Sequence, residues 1–168
     1  MTSIEAWRAG TELVAWRLDQ QVDEKTWDSG LGAYGSGARW NSKGVSAVYA
    51  SVDPALAILE VAVHKGFNAL DTVAHTLTAF TILTATDVWV VDPTTISNPT
   101  WLLPGTPSAG QQKFGDALLA KHKFIAIQST VSKYSWNIIF DPRIAQGAYT
   151  MKLQERLALD TRLNPPKT

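Results

Sequence analysis

One carboxylate stands out as a group that could do chemistry. Glu60 is the single polar residue in the apolar run over residues 54–63, which predicts a helix with almost no polar face. Burying an unpaired carboxylate costs several kcal/mol. Glu60 therefore needs a cationic or hydrogen-bonding partner, or a position that opens into a cleft. Two interpretations stay open: a Glu–Arg pair that joins two elements, or a reactive carboxylate. His64 shares the Glu60 face one turn later, and we expect it to interact with the last carbonyls of the helix.

Two arginines occupy positions that suit the binding of an anion. Arg17 is the only charged residue in the apolar segment over residues 13–18, and Arg39 stands directly before Trp40 and Asn41. A guanidinium group binds carboxylate or phosphate through two parallel hydrogen bonds. For Arg39 a second interpretation stays open, in which the cation and Trp40 pack together on a sheet edge.

Ser129 follows the apolar segment over residues 124–128, where a hydroxyl either reaches a ligand or caps a turn. The turn is the more common role of a lone serine. The sequence contains no G-x-S-x-G, no H-E-x-x-H and no P-loop, and its three histidines lack the spacing of metal ligands. We therefore expect neither a serine hydrolase nor a zinc enzyme nor a classical NTPase, and no bound metal.

The segment over residues 19–44 holds five of the eleven glycines and is predicted to be a loop. Residues 30–35 match G-x-G-x-x-G by letter. That pattern binds a dinucleotide only when a strand precedes it and a helix follows, and neither is predicted here. The glycines indicate positive φ angles or a close backbone approach beside a ligand, or else a merely flexible loop.

These residues need a framework of strands and helices to bring them together. Alternation and apolar runs predict strands over residues 13–18, 47–51, 75–83, 88–92, 124–128, 136–140 and 149–153. Helices are predicted over residues 55–64, after Asp53 and Pro54, and over residues 108–122. Strands and helices do not alternate strictly, so the fold class is α+β. We expect one domain over residues 1–168, with a core at about 13–142 and a C-terminal strand and tail at 143–168.

Composition excludes several classes of protein. The 168 residues are 45% hydrophobic and 18% charged, with a formal net charge of zero, so direct nucleic-acid binding is not expected. The absence of cysteine excludes disulfides, thiolate zinc sites and cysteine nucleophiles. No apolar run reaches the ~20 residues that cross a bilayer, and the first residues do not form a secretory signal. We expect a cytoplasmic protein that does not enter a membrane.

The same residues form a series that resembles a known family. The segments are WRL (16–18), GARWNSKG (37–44), VYAS (48–51), ALAILEV (55–61), Ser129 and WNIIFDP (136–142). Together they resemble the RES-domain family, named for its Arg, Glu and Ser, whose members are commonly toxins of bacterial toxin–antitoxin pairs. The chain has Gln128 where proline often precedes the serine and Asp141 where the family usually has Asn before Pro. Ser132 and Ser135 therefore stay as alternatives to Ser129.

The resemblance implies a fold like that of the ADP-ribosyltransferases, with a split β-sheet around an NAD+ cleft. It also implies cleavage of the bond between nicotinamide and ribose, with NAD+ consumed as a substrate. The implied catalytic residues are Arg17, Glu60 and Ser129, with Glu60 opposite the positive charge that develops on the ribose. The residues implied to bind NAD+ are Arg17, Arg39, Trp40, Asn41 and Tyr49, the arginines through pyrophosphate or ribose oxygens and Tyr49 or a tryptophan by stacking.

The resemblance further implies a partner, an Xre-like DNA-binding antitoxin that covers the cleft beside residues 30–44, and a homodimer within that complex. The acceptor of ADP-ribose stays open between water, phosphate and a protein. Two other functions stay open as well: a non-catalytic nucleotide-binding or interaction module with the same cleft, and a purely structural domain.

Overall fold

The computed structural model describes residues 2–163. Within that range the strands are β1 (Leu13–Gln20), β2 (Val48–Ser51), β3 (His75–Ile82), β4 (Val88–Val90), β5 (Phe124–Gln128), β6 (Trp136–Phe140) and β7 (Tyr149–Arg156). The α-helices are α1 (Ser3–Arg8), α2 (Leu31–Ser36), α3 (Pro54–Lys65), α4 (Phe67–Thr72) and α5 (Ala109–Lys121). Short 3-10 helices cover Gln21–Thr26, Ala85–Asp87, Pro93–Thr95 and Thr161–Leu163.

The strands form one mixed sheet in the order β4-β5-β6-β2-β1-β3-β7. Only β4 and β5 are parallel; the other neighbours are antiparallel. β1 pairs with β3 along its whole length, from Leu13 opposite Ile82 to Gln20 opposite His75. It meets β2 at a single registered pair, Trp16 opposite Ser51. The sheet is therefore split between β1 and β2, and the predicted α+β class with a split sheet is confirmed.

Apolar side chains cover both faces of the sheet. On one face Phe80 and Ile82 of β3 pack in an aromatic core with Phe124 and Phe140. On the other face Leu77 packs against α3, while a separate cluster of isoleucines lies between β5, β6 and α5. Because α3 and α5 cover different halves of the split sheet, the space between them lies over the gap between β1 and β2.

Capping residues fix where the two longest helices begin. The Asp53 carboxylate accepts a hydrogen bond from Leu56 N at 2.8 Å, and Pro54 occupies the first turn of α3. Gly66, with a φ of 80°, ends this helix. Ser108 caps α5 in the same way through Gln111 N at 3.1 Å. The predicted helices over residues 55–64 and 108–122 are confirmed to within two residues at each end.

The prediction of a loop over residues 19–44 is wrong in part. β1 continues to Gln20 because its polar end still pairs with β3, and a 3-10 helix and α2 follow. Gly30 and Gly37 adopt the positive φ angles expected of them, 68° and 71°, and bracket α2. The short α2 was missed because glycine has a low helix propensity, and its sequence LGAYGS contains two glycines.

Two other strand limits differ from the prediction by two residues or more. β4 ends at Val90 rather than at residue 92, because Asp92 caps the 3-10 helix that begins at Pro93. β7 continues to Arg156 rather than to residue 153, because β3 offers a paired edge as far as Thr76. β7 lies beyond the expected core limit at residue 142, and the limits of the domain stay a prediction. Residues 164–168 of the expected tail lie outside the described residues.

None of the helices over residues 2–163 is long and apolar enough to cross a bilayer. The same residues contain no cluster of three His, Cys, Asp or Glu side chains that would hold a metal ion.

Candidate active site

A cleft of about 750 Å³ opens where β1 and β2 diverge. Its volume falls in the range of small-molecule sites, about 300–1,000 Å³. One wall is the second half of β1, another is α3, and the segment over residues 36–40 forms a third. Five of the predicted site residues line this cleft: Arg17, Arg39, Trp40, Tyr49 and Glu60.

Glu60 lies on the cleft wall and is held through one of its oxygens. Its Oε1 accepts hydrogen bonds from Ser129 Oγ at 2.8 Å and from Asn137 Nδ2 at 2.6 Å. Its Oε2 lies 3.9 Å from His64 Nε2, and 20% of the Glu60 side chain is exposed. The alternative of a Glu–Arg pair is thereby excluded, because the groups around Glu60 in residues 2–163 are a hydroxyl, an amide and an imidazole. His64 faces Glu60 instead of the last carbonyls of α3.

Asn137 is a site residue that the sequence did not single out. Ser51 Oγ donates to Asn137 Oδ1 at 3.1 Å, which orients the amide so that its N–H points to Glu60. Ser51 and Asn137 face each other in the register between β2 and β6, so the sheet itself sets this geometry. The available signal was a polar residue inside the apolar strand WNIIF, the same anomaly that singled out Glu60.

Ser129 combines the two roles that the sequence left open. Its Oγ accepts hydrogen bonds from the amides of Val131 and Ser132, both at 3.0 Å, and thus caps the turn after β5. The same hydroxyl donates to Glu60, while the residue is fully buried and does not line the cleft. Of the two alternatives, Ser135 bonds to Asp53. Among these serines, Ser129 is the one that bonds to Glu60, and this hydrogen bond orients the carboxylate.

Arg17 fills the gap where the two strands separate. Its Nη1 donates to the Tyr49 carbonyl at 2.7 Å, across the split in the sheet. Its Nη2 donates to Asp19 Oδ1 at 2.7 Å, and Nε lies 2.6 Å from Oδ2. Asp19 follows Arg17 by two residues on a strand, so both side chains project from the same face. Asp19 is a second cleft residue that the sequence did not reveal.

The segment that carries Arg39 is tied down by buried polar contacts. The Tyr49 hydroxyl donates to Asn41 Oδ1 at 2.7 Å and accepts from Trp40 N at 3.1 Å. Burial raises the pKa of Tyr49, so the hydroxyl remains a neutral donor. Asn41 Nδ2 donates to the carbonyls of Ala33 and Val45. Asn41 is fully buried and lies outside the cleft lining, whereas Tyr49 and Trp40 line the cleft.

Helix α5 supports this segment from behind. Gln112 donates to the Ala38 carbonyl at 2.8 Å, and Asp116 accepts from Ser42 N at 2.9 Å. Between them, Gly115 allows the backbone of Trp40 to approach the helix closely. The Trp40 ring packs against Trp101 and Phe114 instead of against the Arg39 guanidinium on a sheet edge. Arg39 therefore projects into the cleft from a base that α5 fixes.

Comparison with known proteins assigns the chain to a family. The profile of the RES domain matches residues 14–160. The chain belongs to the RES domain family. The resemblance inferred from Arg17, the GARWNSKG segment and Glu60 is thereby confirmed.

A curated relative and a solved structure agree with this assignment. Toxin Res of Photorhabdus laumondii subsp. laumondii is 30% identical over 160 residues, which is 90% of this chain and 97% of that protein. The crystal structure of the MbcT–MbcA toxin–antitoxin complex of M. tuberculosis contains a similar fold. The TM-score is 0.62 with 14% identity, over 87% of this chain and 84% of that chain. At 14% identity, the likeness to the MbcT–MbcA structure shows a shared fold. The likeness to Toxin Res relates this RES domain to a named toxin.

The contact between Asn137 and Glu60 in this RES domain predicts a pH effect on stability. In Asn137→Asp two carboxylates would lie within hydrogen-bond distance of each other. Ionisation of both is energetically unfavourable, so the folded pair retains one proton. Its folded pKa then lies above the unfolded value of about 4, and stability is lost as pH rises through the folded pKa. We expect the melting temperature of the variant to fall by several degrees, relative to the unchanged protein, between about pH 4 and pH 8.

Asn137→Leu is the matched control, because it removes the donor and adds no titrating group. Its melting temperature should lie below that of the unchanged protein by the same amount at both pH values. An Asn137→Asp variant with an equally pH-independent loss would show that the two side chains do not interact.

Proposed function

We propose that this RES-domain toxin degrades NAD+ by cleaving the bond between nicotinamide and ribose. The observation that carries the proposal is the state of Glu60, a carboxylate on the wall of a ligand-sized cleft whose two Oε1 donors are neutral. Since neither donor is a cation, the negative charge remains available to a positive charge that develops on a ligand. A salt bridge from an arginine to Oε1 would have cancelled it; the His64 imidazole lies 3.9 Å from the other oxygen, Oε2.

The chemistry of NAD+ matches this electrostatic arrangement. When the bond between ribose C1′ and the nicotinamide nitrogen breaks, both electrons go to the nitrogen, which becomes neutral. The ribose becomes an oxocarbenium-like cation, which a nearby fixed carboxylate stabilises. A nucleophile then forms a bond to C1′ and loses its proton. Water, phosphate or a protein side chain would serve, and each leaves a different ADP-ribose product.

Incubation of the purified protein, freed of any inhibitor, with NAD+ tests the proposal. We expect free nicotinamide to accumulate, and mass spectrometry of the second product identifies the acceptor as water, phosphate or protein. The Glu60→Gln variant in the same assay is the negative control for nicotinamide release. NAD+ that stays intact after prolonged incubation with folded protein would refute the proposed reaction and favour a module that only binds nucleotides.

We further propose that an antitoxin holds this activity in check by covering the cleft. The structural relative was solved as a toxin–antitoxin complex, which supports a protein partner. The neutral net charge of this chain fits an Xre-like partner that supplies DNA binding. A homodimer of this chain within the complex stays a prediction. NAD+ is used in the cytoplasm, so both proteins should act there.

Expression in bacteria tests the partner. We expect this chain alone to arrest growth, and co-expression with the product of the neighbouring gene to restore growth through a stable complex. Expression of Glu60→Gln should be tolerated without the partner. Harmless high-level expression of soluble, unchanged protein would count against a toxin.

A further inference from the structure

We propose that the two arginines of the cleft bind different parts of the ligand: Arg39 binds the diphosphate, and the Arg17–Asp19 pair binds ribose hydroxyls. Asp19 is then a specificity-determining residue that favours a hydroxyl and disfavours a phosphate at its end of the cleft. The proposal rests on the proposed function, because it takes NAD+ as the ligand.

The charge of Arg17 is already neutralised within the protein. Asp19 contacts the guanidinium through both carboxylate oxygens, at 2.7 Å and 2.6 Å, and 24% of the Arg17 and 16% of the Asp19 side chain is exposed. Around Asp19, the nearby cations Arg17 and Lys65 are balanced by Asp19 itself and Asp23. This end of the cleft therefore carries no net positive charge with which to attract a phosphate.

The burial of Asp19 also favours a hydroxyl over a phosphate at this end of the cleft. Loss of solvent raises the pKa of the Asp19 carboxyl, and the attraction of Arg17 only partly offsets this effect. A carboxylate that is already short of solvent would be destabilised further by a phosphate beside it. It gains from a hydroxyl that donates a hydrogen bond, which is how acidic side chains bind ribose in dinucleotide-binding folds.

Arg39 has the opposite environment. Its Nη1 and Nη2 donate to the backbone carbonyls of Trp101 and Gly105, both at 3.3 Å, so its partners carry no formal charge. Among residues 2–163 no carboxylate forms an ion pair with it. Arg39 thus keeps its full charge at the cleft wall, and its long carbonyl contacts are readily exchanged for shorter, charge-assisted bonds to phosphate.

The first test uses inorganic pyrophosphate and the side-chain Nε–Hε signals of the two arginines in NMR spectra of the full chain. The variants Arg17→Lys and Arg39→Lys assign the signals. We expect pyrophosphate to shift the Arg39 signal and to leave the Arg17 signal in place. ADP-ribose should shift both. A pyrophosphate titration that moves the Arg17 signal, or that moves neither signal, would overturn the proposal.

The second test measures the affinity of variants for ADP-ribose, which lacks the scissile nicotinamide bond, and for pyrophosphate. Asp19→Asn keeps an oxygen for Arg17 and should weaken ADP-ribose binding about tenfold, the size of one charge-assisted hydrogen bond, without weakening the binding of pyrophosphate. Arg39→Gln should weaken both ligands about tenfold or more. Arg156→Gln, on the exposed edge of β7, is the charge control and should alter neither.

An Asp19→Asn variant that binds ADP-ribose normally, or that binds pyrophosphate more weakly, would also overturn the proposal. The second result would show that Asp19 supports the diphosphate site instead of binding a ribose hydroxyl. These binding results do not depend on catalysis. If the protein binds as described but leaves NAD+ intact, the proposed reaction fails and the division of roles between the arginines stands. If the protein cleaves NAD+ but does not bind the ligands as described, only the division of roles fails.

Discussion

Glu60→Gln is expected to lower NAD+ turnover by about 10³-fold, the largest effect of any single substitution in the cleft. The amide has the shape of the carboxylate but lacks the negative charge that would face the ribose cation in the transition state. Removal of one preorganised electrostatic group of this kind costs about 10²–10³ in rate. The amide oxygen still accepts from Ser129 Oγ and Asn137 Nδ2, so the fold should be kept.

Turnover and thermal melts are measured side by side to separate chemistry from stability. Glu155→Gln is the matched control, since that glutamate is exposed on β7, away from the cleft. The control should keep normal turnover. A Glu60→Gln protein with near-normal turnover, or one that loses activity only because it unfolds, would remove Glu60 from the catalytic role.

Gly115→Ala is expected to give the largest structural effect outside the cleft. A Cβ at position 115 would overlap the carbonyl oxygen of Trp40 and lie 2.6 Å from its carbonyl carbon. Backbone atoms cannot move aside as a flexible side chain does, so α5 and the segment that carries Arg39 must separate. Overpacking of this kind costs about 1–3 kcal/mol, which for a domain of this size lowers the melting temperature by about 5 °C. Affinity for ADP-ribose should fall with it, because Arg39 loses its support.

Gly110→Ala separates this contact from helix propensity, which favours alanine by about 1 kcal/mol. Gly110 lies in the same helix, and the nearest atom to its added Cβ is Ser108 Oγ at 3.9 Å. This variant should melt at or above the temperature of the unchanged protein. Equal melting temperatures for the two alanine variants would show that α5 and Trp40 are not in close contact.

Local sequence signals were sufficient for most of the framework. β5 and β6 lie at the predicted residues because short apolar runs between polar turns specify buried strands. α3 begins where Asp53 and Pro54 predict, because capping depends on residues three or four apart. The series of Arg17, the GARWNSKG segment and Glu60 was sufficient to identify the family. The anomaly of Glu60 in an apolar helix predicted either a partner or a cleft, and the structure shows both.

Only the tertiary structure decided what these residues contact. The two donors to Glu60 are Ser129 and Asn137, which lie 69 and 77 positions away along the chain. Arg17, predicted to bind a ligand anion, is paired with Asp19, and Asn41 is buried as a support beneath Tyr49. Periodicity and capping act over a few residues and therefore set elements. The partner of a polar side chain depends on strand register and on the split between β1 and β2, which form only when distant segments pack together.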